Sequence, residues 1–416
     1  MTIAPVRILR LAAGGAGVGK LEDGRTVFVP RTAPGDLVAL TEIKAQKRFA
    51  WARLGQLIEA GPDRVAPKCA HYDRDRCGGC QLQHLSPAAQ RAAKSAIVGD
   101  ALRRIGRVEL ADPEVVPSEI EWDYRSKLTL TVAGTRIGLH QVGDATRVFE
   151  LERCEIVAPA LRELWDRLRP HRRLLPEDAE RIVLRLDRTG GCHVIVETRG
   201  AVVWDEAGRL VRALGNHPMT AVWWRPEGGA ARVMAGGAEA YPATVFEQIH
   251  PLLGDEIRRY AVAQAAPAAD MHAWDLYAGI GETTELLLDA GATVESVEID
   301  RRAVEQGQRQ SRFGSAVGSQ VPGGRVKRHA GRVEDLVARL RPPATVITNP
   351  PRIGMEERAV RAIVAARPRR VVYVSCDAAT LARDVARFGP GWRITSVRAF
   401  DLFPQTAHVE TVLVLE

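Results

Sequence analysis

The 416-residue chain contains no run of about 18 or more uncharged apolar residues, so a membrane-spanning helix is not expected. Its first twenty residues, MTIAPVRILRLAAGGAGVGK, lack the apolar core of a secretory signal. Cysteine is scarce, and six in a chain of this length cannot form a disulfide scaffold. The expected setting is therefore a reducing cytoplasm, with no membrane association and no obligate protein partner. Wholesale disorder is excluded by 46% hydrophobic and 26% charged residues. The excess of positive charge is small. Lys plus Arg number 58 against 51 Asp plus Glu, a net +7 that tolerates a polyanionic partner without requiring one.

The length corresponds to between two and three domains. Residues 1–60 read as short strands separated by glycines: VRILRLA, GGAGVGK, TVFVPRT, PGDLVALTEI and FAWARLGQLIE. This pattern predicts a small β-barrel. It carries nine basic and five acidic residues, a local +4 that suits a nucleic-acid-binding barrel and also an ordinary solvated surface. Residues 61–250 open with a cysteine cluster and a helix from Pro87 to about Arg104. Two hairpins follow, turning at Gly134 and at Gly190–Gly191, then AVWWRP and ARVMAGG. Period-two alternation predicts a mostly antiparallel sheet, and the region has no dinucleotide or triphosphate loop.

Residues 251–416 change period. A helix (LLGDEIRRYAVAQ) precedes the strand AWDLY, and strands VESVEI, VKRHA, TVITNP and RRVVYVSC alternate with helical stretches. This is the pattern of a doubly wound, Rossmann-like α/β domain. RITSVRAFDLF and HVETVLVLE read as a closing antiparallel pair, and 312–325 as a loop insertion.

Four cysteines stand in one arrangement: Cys69, Cys77 and Cys80, then Cys154 far downstream. The Cys77-Gly-Gly-Cys80 spacing can place two sulfurs on one metal or cluster, with the glycines allowing a tight bend. Spacing alone does not separate zinc from iron–sulfur. Cys192 reads as a core residue.

In the α/β region, AWDLY runs into Ala278-Gly279-Ile280-Gly281. Glycines after a first parallel strand let a ligand approach the backbone. The next strand ends in Glu298-Ile299-Asp300, where an acid can accept from ribose hydroxyls. Glu282 follows the turn in place of further fingerprint spacing, which favours S-adenosylmethionine over a nicotinamide cofactor. Three more strand ends carry unusual residues: Asn349-Pro-Pro-Arg-Ile-Gly354, Ser375-Cys376-Asp377, and the acid- and histidine-bearing DLFPQTAHVE at 401–410. A cysteine at the carboxyl end of a parallel strand is placed to act as a nucleophile.

These motifs, in this order, resemble the bacterial RNA (uracil-5)-methyltransferases. The resemblance covers nearly the whole chain. It implies a TRAM-type, oligonucleotide-binding-like barrel over 1–60, a central β domain over 61–250 and an S-adenosylmethionine-dependent methyltransferase domain over 251–416. It implies a [4Fe-4S] cluster on Cys69, Cys77, Cys80 and Cys154, although the first gap is longer than usual. It implies Cys376 as the nucleophile and Glu410 as the base. Gln248, Tyr277, Gly279, Glu282, Glu298 and Asn349 fall on the cofactor pocket, and Phe246, Gln248, Asn349 and Arg125 on the substrate side. The implied substrate is RNA, with 23S ribosomal RNA preferred to the tRNA T-loop because many of the family's tRNA enzymes lack the barrel.

Several positions depart from the family. Asn349 stands for Asp, Asp377 for Asn, Ala378 for Pro, Glu282 for Asn and His250 for Asn, and the acidic or amide residue usual after the third strand is replaced around Gly331 and Arg332. The expectation is that Asn349 and Asp377 either exchange roles against one base or leave Asn349 to meet the ring alone. Cytosine and a catalytically silent RNA-binding scaffold are the alternatives.

Overall fold

The computed structural model describes residues 4–201, 204–215, 221–237, 247–312 and 325–416. Phe246 and residues 313–324 of the insertion lie outside the described residues.

Three sheets account for the architecture. The first has six strands, Val6–Arg7, Arg10–Leu11, Ala16–Lys20, Thr26–Pro30, Leu37–Ala45 and Phe49–Glu59. It closes on itself. The Ile8 N–H donates to the Asp36 carbonyl and the Leu9 N–H to the Val18 carbonyl, so the opening segment passes from one sheet edge to the other. Closure removes exposed edges. Val27, Val29, Val38, Leu40, Ala50 and Ala52 alternate into its core.

The second sheet has seven strands between Lys127 and Gly236 and is antiparallel except where Cys192–Thr198 runs parallel to Ala221–Pro226. Both expected hairpins are present: Lys127–Ala133 with Arg136–Gln141, and Ala179–Leu186 with Cys192–Thr198. Helix Pro159–Leu168 covers one face through Leu161, Leu164, Trp165 and Leu168. These are i, i+3, i+4, i+7 positions, the stripe that an amphipathic helix buries.

The third sheet carries the α/β domain. Counting strands in chain order from His272–Leu276, its order is 3-2-1-4-5-7-6. The first five are parallel, and Glu410–Leu415 inserts antiparallel between Arg370–Ser375 and Ile394–Phe400. The strand order reverses between His272–Leu276 and Thr345–Thr348, which opens a crevice at their carboxyl ends. An eighth, two-residue strand, Val115–Val116, joins the far edge.

That last strand and helix Pro87–Arg104 come from the stretch after the barrel, yet they pack on the α/β domain. Val98 and Leu102 lie in the same core as Tyr373, Leu381 and Leu413. The segment from 61 to 118 therefore links all three bodies. Arg31 of the barrel donates to the Cys77 and Tyr72 carbonyls and lies 4.1 Å over the Tyr72 ring, while Arg64 pairs with the buried Asp36 at 2.5 Å. No helix among the described residues is long and apolar enough to cross a membrane.

The tightest junction is the 401–409 loop. Lys94 is fully buried on its helix and pairs with Asp401, also donating to the Phe403 carbonyl at 3.0 Å. Gln90 exchanges two hydrogen bonds with Gln405, at 2.9 and 3.0 Å. The Gln81 and Leu82 N–H groups both donate to the Gln405 carbonyl. From the barrel, Gly15 comes so close that a Cβ there would stand 3.0 Å from the Cβ atoms of Ala407 and Gln81. Leu11, Ala33, Leu82, Leu85 and Ala407 close this seam. Removing one partner of a buried ion pair leaves an uncompensated charge, at a cost of about 3–5 kcal/mol. Lys94→Met is expected to lower the denaturation midpoint accordingly, and Lys94→Met with Asp401→Leu to recover most of the loss. Denaturant titration of the three proteins checks this.

Candidate active site

The nucleophile and base expected from the sequence meet through strand register. Ser375 pairs with Thr411 across the antiparallel ladder, so one rung further Cys376 faces Glu410. Cys376 is half-buried, and its thiol is pushed up to about 11 by burial and by the Glu410 carboxyl. Glu410 is 1% exposed, and burial pushes it up to about 8. Its Oε2 is buried without a hydrogen-bond partner among the described residues. Such an orphaned atom is costly in a core and is the kind of defect that catalytic sites retain.

Arg352 is the residue that sequence reasoning passed over. It sits in the NPPRIG loop, and its positive charge opposes the upward shift of both Cys376 and Glu410. Its Nη2 lies 3.4 Å from His408 Nε2. Burial and the Arg352 charge lower His408 to about 4, so this ring is neutral at pH 7. The loop is held by Asp384, which is fully buried and accepts from the Met355 N–H at 2.7 Å, the Tyr373 hydroxyl at 2.8 Å and Arg387 at 2.8 Å. The motif was visible in sequence, but the reach of Arg352 across two strand ends was not.

Asp377 does not form a matched pair with Asn349. Its Oδ1 accepts from the Thr380 N–H at 2.9 Å and caps helix Ala378–Phe388. Asn and Asp cap equally well, which accounts for the exchange at this position. Asn349 stands half-buried at another strand end, with its N–H on the Leu276 carbonyl at 3.2 Å, beside the crevice.

The crevice itself is formed by the turn after His272–Leu276. Tyr277 (φ 61°) and Gly279 (φ 57°) are left-handed, and nothing lies within 4 Å of where a Gly279 Cβ would stand. Glu298 accepts from the Gly279 N–H at 2.9 Å and the Asp300 N–H at 2.8 Å, fixing an acid beside open space. Below it, Asp275 is buried, raised to about 6 by desolvation, and accepts from the Thr284 hydroxyl at 2.5 Å. A carboxylate at one strand end and an amide at the other across an open glycine turn suit a nucleoside with hydroxyl groups. Glu282 is engaged otherwise. It pairs with Arg188 at 2.5 Å and Arg258 at 3.1 Å, joining the second sheet's 187–191 turn to helix Pro251–Ala265. Gln248 packs beside Gly254 at the start of that helix. His250 caps it: Nδ1 is the acceptor for the Leu253 N–H at 3.5 Å, Nε2 lies 2.8 Å from Ser118 Oγ, and the ring stacks on Tyr124 at 5.0 Å. After the third strand, Arg332 pairs with Glu334 and Glu356, and the Glu334 charge reaches Tyr277.

Cys69, Cys77, Cys80 and Cys154 converge on one cavity of about 120 Å³, also lined by Arg125. Burial raises all four thiols, Cys154 to about 12. The Gly79 N–H donates to the Cys77 sulfur at 3.4 Å. The space is several times that of one water molecule. No group of three or more His, Cys, Asp or Glu among the described residues is arranged to hold a single metal ion. A donor set of four sulfurs around so large a cavity fits a polynuclear occupant better than one ion. Arg125 also donates to the Lys127 carbonyl at 2.8 Å, and its charge reaches both Cys154 and His408, placing it between the cavity and the reactive end.

Comparison with known proteins agrees with this geometry. A family model described as tRNA (uracil-5-)-methyltransferase matches residues 324–416, and one described as the TRAM domain matches residues 2–54. A protein of Chromohalobacter salexigens named 23S rRNA (uracil(1939)-C(5))-methyltransferase RlmD is 32% identical over 98% of this chain and 88% of its own length. An uncharacterized RNA methyltransferase of Corynebacterium efficiens is 32% identical over 98% and 93%. The chain belongs to the RNA (uracil-5)-methyltransferase family. Within the solved structures, the Pyrococcus abyssi tRNA (uracil-54, C5)-methyltransferase in complex with S-adenosyl-L-homocysteine shares the fold, with a TM-score of 0.74 over 99% of each chain at 22% identity. That likeness spans the barrel as well, so possession of the barrel does not separate ribosomal from transfer RNA methyltransferases.

The raised acid has a consequence for stability. An unfolded Glu titrates near about 4.3. Between that pH and about 8 the folded chain holds the Glu410 proton and the unfolded chain does not. The contribution of Glu410 to stability is therefore greatest below about pH 4.3, falls as pH rises toward about 8, and is level above. Glu410→Gln is expected to remove this slope. Its unfolding free energy relative to the parent should gain about 2–4 kcal/mol between about pH 5 and pH 9, as measured by denaturant titration across pH.

Proposed function

We propose that this chain transfers a methyl group from S-adenosylmethionine to C5 of a uridine in RNA, with 23S ribosomal RNA as the substrate. The observation that carries the reading is the register that sets Cys376 beside Glu410, with the Arg352 charge reaching both. The identity to proteins named for 23S rRNA favours ribosomal over transfer RNA. An RNA-modifying role and six unpaired cysteines fit a reducing cytoplasm.

S-adenosylmethionine supplies an electrophilic methyl group. Tyr277, Gly279, Glu298 and Asn349 would hold it at the crevice, with Gln248 at its edge and Glu282 bracing the wall through Arg188 and Arg258. Uracil C5 is a weak nucleophile. Once its proton has passed to solvent, the Cys376 sulfur adds at C6 and moves electron density to C5 and the C4 oxygen; C5 then takes the methyl group as the methyl–sulfonium bond breaks and S-adenosylhomocysteine leaves. Both active-site groups hold protons in the free protein at pH 7. The Arg352 guanidinium is the group positioned to favour the thiolate and the carboxylate. Ionised Glu410 removes the C5 proton, and the C5–C6 double bond reforms as the sulfur leaves. The target base must leave its stack to reach a half-buried cysteine. Arg125 and Phe246 are assigned to hold RNA, and Asn349 to face the base. Its amide both donates and accepts, so cytosine remains the alternative target.

Cys69, Cys77, Cys80 and Cys154 would hold a [4Fe-4S] cluster. Methyl transfer consumes no electron, and the cluster would tie the 69–80 segment to the second sheet.

Incubation of labelled S-adenosylmethionine with ribosomal and transfer RNA, followed by nucleoside analysis, tests the reading. The expected product is 5-methyluridine in 23S RNA, lost in Cys376→Ala and replaced by a trapped protein–RNA adduct in Glu410→Gln. Dominant 5-methylcytidine, or a Cys376→Ala protein of parental rate, would overturn it. Anaerobically purified protein is expected to be brown and to carry about four irons per chain with matching sulfide. One tightly bound zinc without sulfide would refute the cluster.

A further inference from the structure

We propose that Phe28, Phe49 and Trp51 form a platform on the outer face of the N-terminal barrel that stacks an unpaired base of the RNA substrate, away from the catalytic pocket. The proposal rests on the reading of the chain as an RNA methyltransferase and adds a second contact with the same RNA. Phe28 and Trp51 are direct partners across adjacent parallel strands, and their rings lie 5.1 Å apart at 30°. Phe49, two residues from Trp51 on the same strand face, meets Phe28 edge-on at 5.9 Å. Their neighbours Val27, Val29, Ala50 and Ala52 turn into the barrel, so the three rings point outward. Trp51 is 45% exposed and Phe49 38%.

The rim of this patch is basic. Lys44 is the cross-strand partner of Trp51, and Lys47 and Arg48 form the adjoining hairpin turn. All three are exposed, and none has an ion-pair partner among the described residues. On the side toward the cysteine segment, Arg76 is held below the usual guanidinium range first by burial and then by the like charges of Arg53 and Arg31. Exposed rings among unpaired cations suit a single strand, whose bases stack while its phosphates meet the rim. A protein partner is the poorer fit, because lysine is depleted at protein interfaces. A duplex keeps its base faces covered. Gly15 of the same barrel abuts Ala407 of the catalytic loop, so RNA on the platform stays on the body that carries Glu410.

The test uses the full chain with a short oligouridine and a paired RNA duplex as probes. Oligouridine is expected to quench tryptophan fluorescence more than the duplex does. Trp51→Leu should weaken its binding by about ten- to a hundred-fold, with the salt dependence unchanged. Trp51→Tyr keeps a stacking ring and should bind close to the parent, which separates stacking from a folding defect. Lys47→Gln with Arg48→Gln should instead reduce the slope of log affinity against log salt by about one to two. In methyl transfer to a ribosomal RNA transcript, Trp51→Leu should raise KM and leave kcat unchanged. Parental oligouridine affinity in both Trp51→Leu and Phe49→Leu would overturn the platform, as would a loss of self-association without a loss of RNA affinity. A parent protein that binds oligouridine through Trp51 yet methylates no RNA would instead overturn the enzymatic reading and leave the platform standing.

Discussion

The structure depends on the burial of one loop, 401–409, between three bodies. It carries Glu410 at its exit, and each partner reaches it through the core. The Lys94–Asp401 pair holds the entry, and Gln90, Gln81 and Leu82 fasten Gln405. Gln405 has a left-handed backbone (φ 69°), a conformation that a non-glycine residue keeps only when its surroundings over-determine it. The hydrogen bonds from both sides supply that constraint. Because Gln81 and Leu82 directly follow Cys80, the cysteine cavity and the loop that leads to Glu410 share one backbone junction. A group bound by the four cysteines can therefore steady Glu410 without touching the reaction.

Electrostatics at the reactive end follows from the same burial. Burial disfavours Glu410 and Cys376 as anions, and the Glu410 charge adds to the effect on Cys376. A single exposed guanidinium, Arg352, opposes this from outside. Its loop is held by Asp384, whose carboxylate collects a hydroxyl, a backbone N–H and two guanidinium groups. Closure of a base over Cys376 would exclude water and strengthen the influence of that charge, since the same charge acts more strongly in lower dielectric. In the free chain burial thus disfavours the anion at Cys376 and at Glu410, the nucleophile and base proposed above.

The departures from the family pattern have local explanations. Asp377 caps a helix, a role that Asn fills as well. His250 caps another, with its ring between Ser118 and Tyr124. Glu282 has turned from the ligand side toward two arginines and braces the second sheet against the crevice. Asn349 is the departure that remains beside the crevice without a structural task for its side chain.

Much of this protein was legible in its residues. Strand alternation marked the barrel and both hairpins, the change of period marked the α/β domain, and motif order singled out Cys376, Glu410 and the four cysteines that converge on one cavity. These are local signals: side-chain periodicity follows backbone geometry, and glycine and cysteine spacing follows the reach of a short chain. Tertiary structure decided the rest. Helix Pro87–Arg104 follows the barrel in sequence but packs on the methyltransferase core, because Val98 and Leu102 share that core with helix Ala378–Phe388 against which the helix lies. Arg352 and Lys94 had no local signature, since each acts on groups tens or hundreds of residues away, and Asp384 reaches Met355 in the NPPRIG loop only through the fold. Glu282 stands in a cofactor-pocket motif, and only the fold brings Arg188 from the second sheet's turn to pair with it. A charge is readable in sequence. Its partner is set by the fold, because Coulombic attraction depends on distance in space and not along the chain.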